Sequence, residues 1–306
     1  MELRQLKYFT EAASTLNFTE SARNLNITQS TLSQQIKQLE EELNVLLFDR
    51  IGKKVILTEA GESFLPYARK TLRDAETGKQ KLMDLKNIET GKLRIGVTYS
   101  LSFLLTDVLL QFTKRYPGIN IEVVYCSSYD LHELLKTHEV DCILSLRQTM
   151  PDNNFDYTFL FESKLSVVVN KNHYLAALKN ISINKLKETP LALLSKDFTA
   201  RSIFDSITHE KGLKIIPAIE LNEVNILLQF VKSGRWATVL SQATASGNPD
   251  LKAIPLNVSG STMNAVFITL KDVYVKNSLK AFKDILIEKS DLGQLNNNTS
   301  FIDLED

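Results

Sequence analysis

The chain has 306 residues, 43% of them hydrophobic, and its 36 Lys and Arg balance 36 Asp and Glu. That composition is ordinary for a folded globular protein and leaves room for more than one domain. It excludes a polyelectrolyte that would hold nucleic acid or lipid by bulk charge. No apolar run is long enough to cross a membrane, so no membrane partner is expected.

Residues 1 to 16 read as an amphipathic helix rather than an export signal, with Leu3, Leu6, Phe9, Ala13 and Leu16 on one stripe. The expected location is the cytoplasm. A short helix from Thr19 to Leu25, capped by Thr19, leads through a tight polar turn at Asn26 into a longer helix capped by Thr28 or Ser30. Leu25, Ile27, Leu32, Ile36, Leu39 and Leu43 recur at helical spacing and would face a shared core, with Ala22 where the two helices pass closest. The outer face then carries Thr28, Gln29, Ser30, Thr31, Ser33, Gln34 and Lys37. Short hydrogen-bonding side chains of this kind match the donors and acceptors that base edges present in a DNA groove. On periodicity alone the same residues also fit a plain helical hairpin with a solvated polar face.

Leu46 to Thr58 reads as strand, turn, strand, with Arg50, Lys53 and Lys54 clustered at the turn. A basic hairpin beside a helix-turn-helix makes a winged helix whose wing grips phosphates, so double-stranded DNA is the expected partner. Over residues 1 to 58, Arg4, Lys7, Arg23, Lys37, Arg50, Lys53 and Lys54 are matched in number by Glu2, Glu11, Glu20, Glu40, Glu41, Glu42 and Asp49. DNA affinity must therefore come from local placement and from several copies acting together.

Gln29, then Leu32-Ser33-Gln34-Gln35-Ile36, Leu39-Glu40, Leu47-Phe48-Asp49-Arg50 and Leu57-Thr58-Glu59-Ala60-Gly61 form an ordered run without gaps. In this run the chain resembles the N-terminal signature of LysR-type transcriptional regulators. Ser30 and Gln34 stand where that family often carries Pro and Arg, and Asn44 where it usually carries Gly. Asn tolerates the left-handed backbone such a turn needs. The resemblance implies an all-α winged helix-turn-helix and a long linker helix, followed by an α/β effector domain of two lobes, like a periplasmic binding protein. It also implies a homodimer or homotetramer, a small-molecule effector bound between the lobes, and RNA polymerase as a further partner.

The long helix is expected from Glu59 to about Asn87. Leu65, Ala68, Leu72, Ala75 and Leu82 trace a seam along it, interrupted by Lys79 and Lys86. Such a seam pairs with a second copy or packs on its own chain; the family uses this helix for pairing. Pro66 and Gly78 are its weak points. The expected organisation is a DNA-binding domain over 1–58, a linker and hinge over 59–90 ending near Gly91, an effector domain over 91–290 and a tail without fixed structure over 291–306.

From Lys92 strands and helices alternate, which argues mostly parallel sheets covered by helices. A last helix is expected from about Val275 to Lys289. In such sheets ligands bind beyond the carboxyl ends of strands, at helix starts. Hydroxyls gather there: Thr98, Ser100 and Ser102 after the first strand, Ser127 and Ser128 after the second, Ser145 with Arg147 ending the third, and Thr199 with Arg201 opening a later helix. Hydroxyls and free N–H groups suit an anion or carboxylate, although each Ser or Thr equally fits a helix cap. Mapped onto the family pattern, Thr98, Ser100, Ser128 and Thr199, with Arg201, fall in the effector region.

Cys126 and Cys142 lie in apolar strand-like runs and read as small buried hydrophobes, with a redox role as the other reading. The four histidines are scattered, no cysteine or histidine spacing suggests zinc, and no cofactor is expected. Trp236, the single tryptophan, fits either the cleft or a core of the second lobe. No nucleophile–base pair or phosphate loop is found, so no enzyme activity is expected. The alternative is a cytoplasmic small-molecule carrier of solute-binding fold.

Overall fold

A computed structural model describes residues 1–51, 54–84, 90–146 and 152–299, with backbone alone for Arg50, Ile51, Lys54, Gln80, Met83, Asp84 and 291–299. The chain divides into two compact units, up to residue 88 and from residue 89.

The first unit contains α1 (Leu3–Thr15), α2 (Phe18–Asn24), α3 (Gln29–Leu43), β1 (Phe48–Ile51), β2 (Lys54–Leu57) and α4 (Glu59–Asp84). On α1 the buried face is Gln5, Leu6, Phe9 and Ala12, whereas Leu3 and Leu16 of the expected stripe are exposed. Leu16 lies past the helix end in a left-handed C-cap, so helical spacing no longer aims it at the core. The cap of α2 is Asn17, not Thr19: its side chain accepts from Thr19 N at 3.1 Å and Glu20 N at 3.2 Å. Asn is at least as good a cap as Thr and starts the helix earlier. Asn26 (φ 56°) and Asn44 (φ 54°) take the left-handed turns at the ends of α2 and α3. Leu32, Ile36 and Leu39 of α3 are buried against Phe9, Phe18, Ala22 and Phe48.

A knot of hydrogen bonds ties α3, the wing and α4 together. Leu47 N and Phe48 N donate to Glu40 Oε1 at 2.8 and 3.1 Å. Thr58 N donates to the Leu47 carbonyl at 3.1 Å, and Thr58 Oγ1 donates to the Leu46 carbonyl at 2.7 Å while accepting from Gly61 N at 3.0 Å. Gly61 must be Gly, because a Cβ there would lie 2.1 Å from the Leu47 carbonyl oxygen. The helix α4 runs continuously through Pro66 and Gly78. Ala68 is buried, and Leu65 and Leu72 are half-buried, in this unit's own core; Ala75 and Leu82 are exposed. The first half of the expected pairing seam is thus covered by its own chain. The expected hinge spans residues 87–91; 87–89 lie outside the described residues, and Gly91 opens the next strand.

The second unit runs β3 (Gly91–Val97), α5 (Ser102–Arg115), β4 (Ile119–Tyr125), α6 (Ser128–Lys136), β5 (Cys142–Leu146), β6 (Phe155–Asn170), β7 (Ala192–Leu194), α7 (Thr199–Glu210), β8 (Ile219–Leu221), α8 (Val224–Lys232), β9 (Thr238–Ser241), β10 (Leu251–Pro255), β11 (Thr262–Leu270) and α9 (Asn277–Thr299). The main sheet has the order β10-β6-β11-β5-β3-β4, with β9 also on β6. Strand β6 belongs to two lobes: Phe155 to Lys164 pair with β11 in the first, and Leu165 to Asn170 pair with β9 and β10 in the second. Helices α5 and α9 pack together on the first lobe, with Phe112 and Phe282 edge to face at 5.8 Å. At the start of α9, Lys276 Nζ donates to Asp141 Oδ1 at 2.8 Å and to the Lys92 carbonyl at 3.1 Å.

Two expectations are corrected here. β3 is parallel to β4 and β5, and β7 to β8, but β6 and β11 enter antiparallel, so the sheets are mixed. These two strands carry the chain between lobes in opposite directions, which a local pattern does not reveal. The last helix continues to Thr299 rather than ending near Lys289, so the first part of the expected unstructured tail has helical backbone. The polar, Asn-rich stretch from Asp291 contains no proline to stop it.

Gly61→Ala should destabilise the first unit by about 3 kcal/mol, the upper range for forced overpacking. Loss of hydrogen-exchange protection at the Leu47 and Phe48 amides, with the second unit unchanged, is the expected readout.

Candidate functional site

In the first unit the polar face of α3 is open. Thr28, Gln29, Ser30, Thr31, Gln34 and Lys37 are exposed and Ser33 is half-buried. Thr28 caps α3 by accepting from Thr31 N at 3.1 Å, and its hydroxyl meets those of Ser30 (2.9 Å) and Thr31 (2.8 Å). The Gln29 amide donates to Ser33 Oγ at 3.1 Å. Lys37 pairs with Glu41 at 3.4 Å, both mostly exposed. An exposed pair of this spacing is worth about 0.3–0.5 kcal/mol, so Lys37 is readily drawn to a phosphate. On the wing, Arg50 faces Val55 and Lys54 faces Ile51 in the strand register; Lys53 lies outside the described residues. Glu41 and Glu42 stand at the far end of α3, and Glu40 is turned into the wing knot.

In the second unit a cleft opens where the first strands of each lobe end. Thr98, Tyr99 and Ser100 after β3, Cys126, Ser127 and Ser128 after β4, and Leu146 ending β5 line one wall. Leu194, Phe198, Thr199, Ala200, Val224, Leu240 and Thr244 line the other. Its free volume is about 30 Å³, room for one or two waters. Among the described residues no charged side chain lines it. Polarity comes from hydroxyls and from the starts of α6 and α7. The first-turn N–H groups of α7 have no helical carbonyl, and its N-cap, Phe198, supplies no side-chain acceptor. Thr98 Oγ1 is buried without a hydrogen-bond partner.

Of the expected effector residues, Thr98, Ser100, Ser128 and Thr199 are brought together here. Ser145 is not on the wall: fully buried in β5, it holds Ser128 Oγ at 2.8 Å from behind. Arg201 also leaves the site. Its guanidinium is 7% exposed and donates to Asp205 Oδ1 (2.8 Å), Glu220 Oε2 (2.9 Å) and the Leu194 carbonyl (2.6 Å). It joins α7 to the β7–β8 pair, so its charge is spent within the fold. Arg147 lies outside the described residues. Trp236 packs against the second lobe's core with Arg235 stacked 5.2 Å from its ring, and does not line the cleft. Tyr99, Cys126, Phe198 and Thr244 were not singled out as effector contacts by sequence; Ser127, placed among the strand-end hydroxyls, lines the cleft. Taking every residue just past a strand end would have found Tyr99 and Cys126. Cys126 and Cys142 are both free; burial, and next Asp130, push the Cys126 thiol up. No group of three metal-ligating side chains occurs among the described residues, and none of their helices is long and apolar enough to cross a membrane.

The model of the LysR substrate binding domain matches residues 86–291, and that of the bacterial regulatory helix-turn-helix protein, lysR family, matches residues 3–62. The chain belongs to the LysR family. It is a DNA-binding transcriptional regulator with an effector-binding domain. Transcriptional dual regulator GltC of Bacillus subtilis strain 168 is 33% identical over 247 residues, which cover 80% of this chain and 82% of that protein. The transcriptional activator CmpR of Synechocystis is 28% identical over 239 residues, 78% of each chain. Two solved LysR-type structures share the fold. Full-length OxyR from Pseudomonas aeruginosa has a TM-score of 0.70 at 21% identity, covering 95% of both chains. CbnR in complex with its target DNA has a TM-score of 0.68 at 20% identity, covering 94% of this chain and 100% of that one.

Removing one partner of a buried ion pair costs about 3–5 kcal/mol, and less where the carboxylates reach solvent. Asp205 and Glu220 are 39% and 46% exposed, so Arg201→Ala should cost about 2 kcal/mol. Calorimetry of the full chain should show that loss. Unchanged stability with lost effector response would restore Arg201 to the binding site.

Proposed function

We propose that this LysR regulator reads its operator with Gln29 and Gln34, assisted by Thr28, Ser30, Thr31 and Ser33. Lys37, Arg50, Lys53 and Lys54 hold phosphates on either side. The supporting observation is an open α3 face of short polar side chains whose caps and core residues are separately accounted for. The domain limits of this reading are 1–58 for the DNA-binding domain, 59–90 for the linker and 91–290 for the effector domain. The protein acts in the cytoplasm as a homodimer or homotetramer, catalyses no reaction, and passes its signal to RNA polymerase.

The effector is a small anion, such as a carboxylate, held by Thr98, Ser100, Ser128 and Thr199 and by the N–H groups opening α7. The observation that carries this is a cleft with hydroxyls and helix starts but no charged side chain on its described walls. Binding shifts the population of cleft states, and that changes how the paired reading heads engage and bend DNA.

Gln29→Ala or Gln34→Ala should lose about 1–3 kcal/mol of discrimination at one base pair in selection from random DNA. Lys54→Ala should weaken binding to every sequence alike and flatten its salt dependence. Unaltered preference in both glutamine variants would show that another face reads the bases. In a thermal-shift screen of small metabolites, a carboxylate should raise the melting temperature. Thr98→Val should weaken that ligand about tenfold, the worth of one hydrogen bond at a buried hydroxyl. Stabilisation only by uncharged or cationic compounds would count against the anion.

A further inference from the structure

The hydroxyls that face the cleft also bind one lobe to the other. Tyr99, in the turn after β3, donates its hydroxyl to Asn225 Oδ1 on α8, and its ring packs against the second lobe's core. Asn225 is itself held in place. Its Nδ2 donates to Glu223 Oε1 at 3.0 Å, and Glu223 caps α8 through Asn225 N at 3.1 Å and Ile226 N at 2.7 Å. Beside this pair, Thr244 Oγ1 of the second lobe donates to Ser100 Oγ of the first at 3.2 Å. Phe103 of α5 lies over Gly247, where a Cβ would come within 2.5 Å of its ring. Burial, and next the Glu223 carboxylate, push the Tyr99 phenol up, so it stays a protonated donor.

Tyr99, Ser100 and Thr244 all line the cleft, and the space they enclose is about 30 Å³. A metabolite larger than one or two waters does not fit that space. Entry therefore needs the walls to part, and parting breaks these contacts.

We propose that Tyr99–Asn225 and Ser100–Thr244 are a clasp that holds the empty cleft shut, and that an effector enters by taking the Tyr99 and Ser100 hydroxyls from the opposite lobe. This rests on reading the cleft as the effector site and assigns particular side chains the task of setting its closed population. The effector must then offer a hydrogen-bond acceptor to the Tyr99 hydroxyl, as a carboxylate or carbonyl oxygen does. Each clasp bond lost shifts the closed–open balance by about fivefold, the worth of one hydrogen bond in water.

The chain carries its own reporter. Of its two cysteines, Cys126 lines the cleft and is half-buried, whereas Cys142 is fully buried in β5. Full-length protein without DNA or metabolite is treated with Ellman's reagent, and the modification rate of each thiol is read by peptide mass. Tyr99→Phe and Asn225→Ala should each speed Cys126 by about fivefold. The double variant should be no faster than the faster single, because both remove one bond. Thr244→Val should also speed Cys126, and Thr244→Ser, which keeps the hydroxyl, should return it to the wild-type rate. Cys142 should stay protected throughout. Unchanged Cys126 rates with Cys142 protected, or Tyr99 and Asn225 effects that multiply independently, would overturn the clasp. If Tyr99→Phe exposes Cys142, the fold itself has opened, and the Thr244→Val and Thr244→Ser pair decides the matter by the same criterion. No effector enters this assay, so its failure removes the clasp alone; the metabolite screen judges the binding site separately.

Discussion

The behaviour of the effector domain depends on one strand being hydrogen-bonded in two lobes at once. β6 pairs with β11 through its first half and with β9 and β10 through its second. Each ladder stays within its own lobe, so a bend in β6 near Lys164 and Leu165, with the return link into β11, lets the lobes hinge while both ladders stay intact. A hinge of that kind opens and closes the cleft at the strand ends while keeping both cores packed. Closed and open states then differ by few contacts, and one or two hydroxyl pairs across the cleft suffice to set their balance.

The DNA-reading unit solves the opposite problem, since it must not move. Its rigidity converges on Leu47, whose N–H is taken by Glu40 and whose carbonyl takes Thr58 N under the close approach of Gly61. Thereby the Glu40 carboxylate, the Thr58 hydroxyl and the wing's backbone groups fix α3, the wing and α4 to one another. On the proposed reading face Thr28, Ser30, Thr31 and Ser33 lose little rotamer freedom on contact, whereas Gln29, Gln34 and Lys37 lose more. With as many acidic as basic groups over residues 1 to 58, specificity depends on such placement more than on charge.

What the sequence revealed was chemistry that neighbours in the chain decide. The polar face of α3, its Thr28 cap, the left-handed turn at Asn44 and the hydroxyls past β3 and β4 all follow from local spacing. The misreadings arise where partners come from afar. Arg201 looked like an anion ligand because it opens a helix near Thr199, yet Asp205, Glu220 and the Leu194 carbonyl hold it within the fold. Ser145 looked exposed at a strand end, but β5 is central in the sheet and buries it. The seam on α4 was legible as periodicity, whereas its covering by the unit's own core was not. Tyr99 and Asn225 are 126 positions apart, and nothing local joins them.

In the proposed mechanism the state of the cleft sets how DNA is held. Footprinting of the full-length protein on its own upstream DNA, with no metabolite added, is compared with that of the Tyr99→Phe, Thr244→Val double variant. Opening the cleft by substitution should change the protected region or its hypersensitive sites as an effector would. An identical footprint at equal occupancy, from a variant whose Cys126 is demonstrably more accessible, would contradict the claim.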